Sequence, residues 1–415
     1  MQGASLDEIT DGSALIVVGV VRSFRGCLES GTNSIVTEVV LTPEGYLKAP
    51  AAAPSPGADV TIDVPGGRFA DFVLGVGTSP QFSADERVTV FLHDVSGRLQ
   101  VTEGFQGKFS VTPTGLVAPL GVPLDRFEAK IRQAIDGTLS PSADPLAAAE
   151  GQIVESPYVT FASWAIVDIP VPYFINSTTN RPAQLTAAQT ETALNSGFGT
   201  WQNDPQSYIA FWFSGNTTRV SGAEGCPDPE DKNDLTWGIA GTHDANTLAV
   251  TYTCYNGITG KIYDADIEFD TDHFGTLWRV DGSGSCGEGV FDLETAALHE
   301  EGHFLGLGHP SFNTCVNGTN GDCPVMDGTY GGVQRALCAD DINGVRALYP
   351  GSTPPVVGGI AELPPLAAAS VEEAGAPAGG SGWSAGGYGA LAGGLAAAAV
   401  AIAAGGWHAR RRWLR

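Results

Sequence analysis

Between His299 and Pro310 the sequence reads HEEGHFLGLGHP, which sets three imidazoles and a carboxylate where one metal ion can use them all. His299 and His303 are four residues apart. On a helix that spacing puts both rings on one face, about 6 Å apart along the axis, where they can share a zinc ion. Glu300 follows the first candidate ligand directly, and from there it can reach a water in an open coordination position and act as general base. The third candidate ligand, His309, lies six residues beyond His303, so the chain must turn back sharply after the helix. Gly306 supplies that turn, because a residue without a Cβ takes the left-handed conformation that ends helices, and Gly308 adds freedom before His309. The chemistry open to this set is hydrolysis by a metal-activated water.

The elements that must position these residues can be read around them. Asp292 to Leu298 starts the helix, with Asp292 as N-cap and Leu293, Ala296 and Ala297 as packing positions. Upstream, strands are expected at Val159 to Ile166, Val171 to Ile175, Tyr208 to Phe213 and Leu248 to Cys254, with a helix from Thr186 to Trp201. In Lys261 to Asp270, Tyr263, Ala265, Ile267 and Phe269 alternate with Asp264, Asp266 and Glu268. That pattern predicts a strand with one face on the core and one on solvent. Asp264, Asp266, Asp270 and Asp272 offer oxygen ligands for calcium, although a solvated acidic face is the reading preferred.

HExxHxxGxxH, followed by Met326 in CPVMDG and by LCADDINGVRALYP from Leu337 to Pro350, resembles the metzincin clan of zinc endopeptidases, and within it the matrixin branch. The resemblance implies an α+β catalytic domain, a twisted mixed sheet carrying a long active-site helix. It implies His299, His303 and His309 as zinc ligands, Glu300 as the catalytic base, Gly306 at the turn and Met326 in the methionine turn. It gives the strand before the active-site helix, here 261–270, the upper rim of the cleft, to which a peptide substrate adds as a further strand. It also implies that an aspartate of the closing helix pairs with an amine freed by processing. Asp340 and Asp341 occupy the matching positions, so a cut between Asp136 and Tyr158 is expected. Only His243 and His273 remain for the second, structural zinc of the family, and that zinc is not expected here. The chain departs from the pattern at Glu301, where an apolar residue is usual, and in the sixteen residues between His309 and Met326, which include Cys315 and Cys323. In the family a propeptide cysteine can occupy the open zinc position. Cys27 is the one cysteine outside the catalytic region, but FRGCLES does not match that motif, and an unpaired thiol is the preferred reading.

The whole chain sets further bounds. Its 415 residues can hold several domains, and a net charge of -25 without a basic patch argues against nucleic acid as a partner. Cys226, Cys254, Cys286, Cys315, Cys323 and Cys338 are even in number, which suits three disulfides and an oxidising compartment. Residues 1–121 hold short segments rich in Val, Ile, Phe and Thr between turns, which predicts a β-sandwich or barrel. No signal peptide is recognisable: Asp7, Glu8 and Asp11 precede the short apolar run Ala14 to Val21, which reads as a buried strand. Residues 122–157 combine an amphipathic helix, Pro123 to Ile135, with a linker, and 158–351 are the catalytic region. A linker rich in Pro, Gly and Ala follows at 352–385, then a weakly apolar segment with a basic end at 386–415 that resembles bacterial C-terminal sorting tails. The expectation is an exported, surface-tethered monomeric zinc endopeptidase acting on proteins or peptides, the rival being a surface adhesion protein with an accessory protease domain.

Overall fold

The computed structural model describes residues 4–29, 34–51, 53–118, 120–146, 158–220, 226, 232–238, 247–271, 277–284, 289–310 and 324–351. Residues Met1–Glu362 form one compact unit. His243, Asp272, His273, Cys286, the insertion with Cys315 and Cys323, and everything after Gly351 lie outside the described residues. Among the described residues no helix is long and apolar enough to cross a membrane.

The N-terminal region opens with helix α1 (Leu6–Gly12), which Ser5 and Glu8 close with reciprocal capping bonds. Strands follow at Leu15–Leu28 (β1), Ile35–Lys48 (β2), Val60–Pro65 (β3), Gly67–Phe69 (β4), Phe72–Val76 (β5), Arg87–Val95 (β6) and Arg98–Val101 (β7). Three short ones, Lys108–Val111 (β8), Leu116–Ala118 (β9) and Val122–Pro123 (β10), lead into helix α2 (Leu124–Ile135). The choice between sandwich and barrel is settled by β6, which pairs with both β7 and β1 and so closes the ring β1-β2-β3-β7-β6. Val17, Leu41, Ile62 and Val90 fill one core, while Ile16 and Phe91 turn outward under Leu6 and Ile9 of α1 and Phe127 and Ile131 of α2. The β4–β5 hairpin was not expected, and it leaves this barrel altogether.

The second region runs through Val159–Thr160 (β11), Ser163–Trp164 (β12), Val171–Ile175 (β13), helix α3 (Ala187–Gln202), Phe211–Asn216 (β14) and Asp234–Trp237 (β15). It continues with Ala249–Asn256 (β16), Lys261–Phe269 (β17), Leu277–Arg279 (β18) and Val290–Asp292 (β19). Helix α4 (Leu293–Leu305), Leu307–Gly308 (β20) and helix α5 (Ala339–Leu348) complete it. The main sheet has the order β14-β13-β15-β17-β16-β5-β4, with β12 also on β17. Strands β13, β14, β15 and β17 are parallel and β16 is antiparallel, so the whole is α+β with a mixed sheet. Trp201, Phe198 and Phe304 join α3 and α4 to the sheet in one apolar core.

Three expectations are corrected here. Strand β17 is internal, paired with β16 on one side and with β15 and β12 on the other, so it is not the strand a substrate could extend. Its acidic face does not meet solvent: Asp264, Asp266 and Glu268 are buried while Tyr263 is exposed, because Arg219 and the 233–238 segment cover that face. Asp266 consequently has its carboxyl pushed well up, first by burial and then by Asp264. Finally, one disulfide joins Cys226 and Cys254, but Cys338 is a free, buried thiol at the start of α5, so the six cysteines do not form three bonds.

Candidate metal centre and active site

Helix α4 begins where its N-cap demands. Asp292 accepts from the Thr295 backbone N–H at 3.0 Å and from its hydroxyl at 2.8 Å, and its buried charge is paired with Arg335. The helix ends at Gly306 with φ of 100°, and a Cβ there would lie 2.0 Å from the Ala162 carbonyl oxygen. Both the left-handed backbone and the close approach therefore require glycine. The turn sends β20 back along β11, and His309 returns over the helix.

The result is a cluster of three imidazoles. The Nε2 atoms of His299 and His303 lie 3.1 and 3.0 Å from that of His309. The opposite ring nitrogens are tied down: Nδ1–H of His299 donates to the Val325 carbonyl at 2.7 Å and Nδ1–H of His303 to the Leu307 carbonyl at 2.8 Å. Since a carbonyl only accepts, each Nδ1 carries the proton and each Nε2 presents a lone pair to the centre. Burial, reinforced by the His303 ring, holds His299 well below the usual imidazole value, and His309 is lowered in the same way by burial and both neighbours. His303 is lowered by burial against an opposing pull from Glu300. Three neutral donors converging so closely repel unless they share a cation. Tetrahedral zinc, with nitrogens at about 2.0–2.1 Å, needs them about 3.3 Å apart, so the set fits that ion.

Glu300 is buried beside the cluster, where its Oε2 accepts from the Thr251 hydroxyl of β16 at 2.7 Å. Met326 lies buried against Gly302 of the helix. A Cβ on Gly302 would meet its sulfur at 2.1 Å and Trp201 at 3.0 Å, so the glycine of HEEGH is there to let the methionine turn and α3 approach the helix. Glu301 points the other way, fully buried against Gly197 of α3.

Several residues that hold the site were not singled out from the sequence. Thr251 and Thr253 anchor β16 to α4 through Glu300 and the His303 carbonyl. Arg335 pairs with Asp292 and with Glu294 at 3.0 Å. No spacing signal marks them, since each contact joins distant segments. Asp340 and Asp341 divide the work expected of either: Asp340 accepts from the Tyr158 backbone N–H at 2.9 Å, whereas Asp341 accepts from Val325 and Cys338 N–H at 2.9 Å and Met326 N–H at 3.2 Å. Asp341 thus clamps the methionine turn to α5. Cys27 is not part of the imidazole cluster; its thiol donates to the Arg25 carbonyl at 3.8 Å and meets the Glu38 carboxyl of β2.

Comparison with known proteins agrees with this geometry. The matrixin family model matches residues 169–350. Karilysin of Tannerella forsythia is 29% identical over 175 residues, covering 41% of this chain and 30% of the relative. Metalloendoproteinase 5-MMP of Arabidopsis thaliana is 41% identical over 63 residues, covering 15% of this chain and 16% of the relative. The chain therefore spans less than a third of the length of either of these relatives. With the helix, the glycine turn, the convergent histidines and the methionine turn in place, residues 169–350 of this chain belong to the matrixin family.

Proposed function

We propose that this chain is a zinc-dependent endopeptidase acting on extracellular proteins or peptides. The observation that carries the reading is the set of three neutral Nε2 atoms facing one point, with the Glu300 carboxyl buried next to them. His299, His303 and His309 are the residues that would hold zinc, which supplies Lewis acidity toward a scissile carbonyl and acidifies a water. Glu300 would serve as the base for such a water and would return the proton to the leaving amine, and the Thr251 hydroxyl, donating to Oε2 at 2.7 Å, holds the carboxylate in place for both. Met326 and Asp341 act through the histidines, by holding Val325, whose carbonyl orients His299. Export and a tether through residues 386–415 belong to the proposal as well; the Cys226–Cys254 disulfide supports the first.

The experiment pairs zinc analysis with hydrolysis of an unbiased peptide library. Glu300→Ala should keep one zinc per chain and lose about 10²-fold or more in turnover, as removal of a general base does. Turnover within tenfold of wild type would defeat the assignment.

A further inference from the structure

The edge of β16 that faces the metal centre is already taken, and by the chain's own N-terminal region. Strand β5 pairs antiparallel with it over Val76 to Phe72 against Tyr252 to Asn256, and Gly77 N–H continues the ladder to the Thr251 carbonyl at 3.2 Å. Thr251 is the residue that holds Glu300, so this ladder ends at the chemistry. Gly77 sits over the imidazoles. A Cβ there would stand 3.0 Å from His303 Cδ2 and 3.1 Å from Nε2, closer than a side chain can approach a ring without moving it. The chain then turns away, Ser79 N–H donating to the Val76 carbonyl at 3.0 Å, and Thr78 is held by the Phe105 N–H at 2.9 Å. Phe105 from the barrel covers His309 with ring centroids 5.0 Å apart. Leu74, Ile35 and the Cys226–Cys254 disulfide form a small buried cluster under the pairing. At the hairpin tip, Gly257 N–H donates to the Asp71 carbonyl at 2.9 Å, which fixes the register.

We infer that residues 72–79 are a resident occupant of the substrate position, so that the N-terminal barrel inhibits the site in cis by strand addition. This rests on the endopeptidase reading. An extended peptide needs the same backbone N–H and C=O groups of β16 that β5 uses, and it must displace a strand whose tethering keeps it at high effective concentration. The inhibition is by backbone and by fit rather than by a ligand to the metal, because the residue nearest the imidazoles is a glycine with no donor side chain. It therefore works without Cys27. Apparent substrate affinity is reduced by the fraction of molecules in which β5 is seated.

The test uses the full, zinc-loaded chain and a fluorogenic extended peptide. Gly77→Leu introduces a side chain that cannot lie on His303, and Phe105→Ala removes the cover on His309; melting temperature and zinc content report whether each variant is folded. If fewer than a tenth of wild-type molecules are open, kcat/KM rises about tenfold or more in Gly77→Leu and by a smaller factor in Phe105→Ala. A Phe72→Cys, Asn256→Cys pair, partners in register, should abolish the residual wild-type activity when oxidised and restore it under reductant that leaves wild type unchanged. Folded Gly77→Leu and Phe105→Ala within twofold of wild type would overturn the inference. If no form cuts any peptide, the endopeptidase reading fails instead, and hydrogen exchange still decides the occupancy: the β16 amides that face β5 rather than β17 must exchange faster in Gly77→Leu, and unchanged exchange overturns it.

Discussion

Glu301 shows what one residue inside the motif costs the fold. Its carboxyl is fully buried against α3, and neither oxygen has a hydrogen-bond partner. Burial first, and then Glu294, push its pKa well above the usual 4.5, so it is neutral in the folded chain at the start of its titration range. In the unfolded chain it ionises near pH 4.5. Its contribution is therefore complete below that pH and is lost as pH rises toward the raised folded value, at about 1.4 kcal/mol per unit. Glu301→Gln removes the titration. Its melting temperature should match wild type near pH 4 and exceed it by a growing margin as pH rises above 4.5 toward the raised folded value; a difference that does not change with pH would mean the carboxyl does not titrate on unfolding. His309, in the imidazole cluster, calls for the opposite kind of change. Replacing it by Ala leaves His299 and His303 as a pair, and zinc affinity measured by competition with a chelator should fall by at least about 10²-fold, the scale on which even supporting groups of a metal site act.

At the scale of elements, two short connections decide whether helix α4 can serve the site. Gly306→Ala meets both a left-handed backbone and the Ala162 carbonyl, so the loss should exceed the roughly 1–2 kcal/mol of backbone strain alone. Urea unfolding of the zinc-free protein measures it. Asp341 holds three backbone N–H groups, of Val325, Met326 and Cys338. Asp341→Ala strands them in a buried place at about 1–3 kcal/mol each, so the variant should lose at least about 3 kcal/mol and bind zinc more weakly as His299 loses its oriented carbonyl. An unchanged zinc affinity in a folded Asp341→Ala would separate the methionine turn from the metal centre. Helix α2 was read within a residue of its observed start, and α3 within a residue of both ends, because capping residues and apolar spacing are local signals. The acidic face of β17 was misread for the converse reason. Alternation shows that two faces differ, but whether the polar one meets water or a covering segment is set by Arg219 and residues 233–238, far away in sequence.

At the scale of the molecule, the matrixin region and the barrel share one compact unit, and the β4–β5 hairpin that leaves the barrel completes the sheet of the matrixin region. The bonds between them are backbone ladders and apolar contacts, and they do not depend on the covalent linker. A protease added to cut between Asp136 and Tyr158 should yield two fragments that co-elute in gel filtration, and separation on nicking alone would show that β5 is held only by its tether. The amine freed at Tyr158 would stay beside Asp340, which already accepts from that nitrogen. What the sequence by itself determined is the content of HEEGHFLGLGHP and its near surroundings: a helix with two histidines on one face, a glycine that must break it, a third histidine brought back, and a capped start. These follow from helical periodicity and from the conformations open to one residue, which act over a few positions. What only the tertiary structure decided is which strand borders the cleft and what lies along it. Residues 72–76 meet 252–256 through N–H and C=O groups that every residue carries, so no side-chain pattern announces the pairing across so long a stretch of chain.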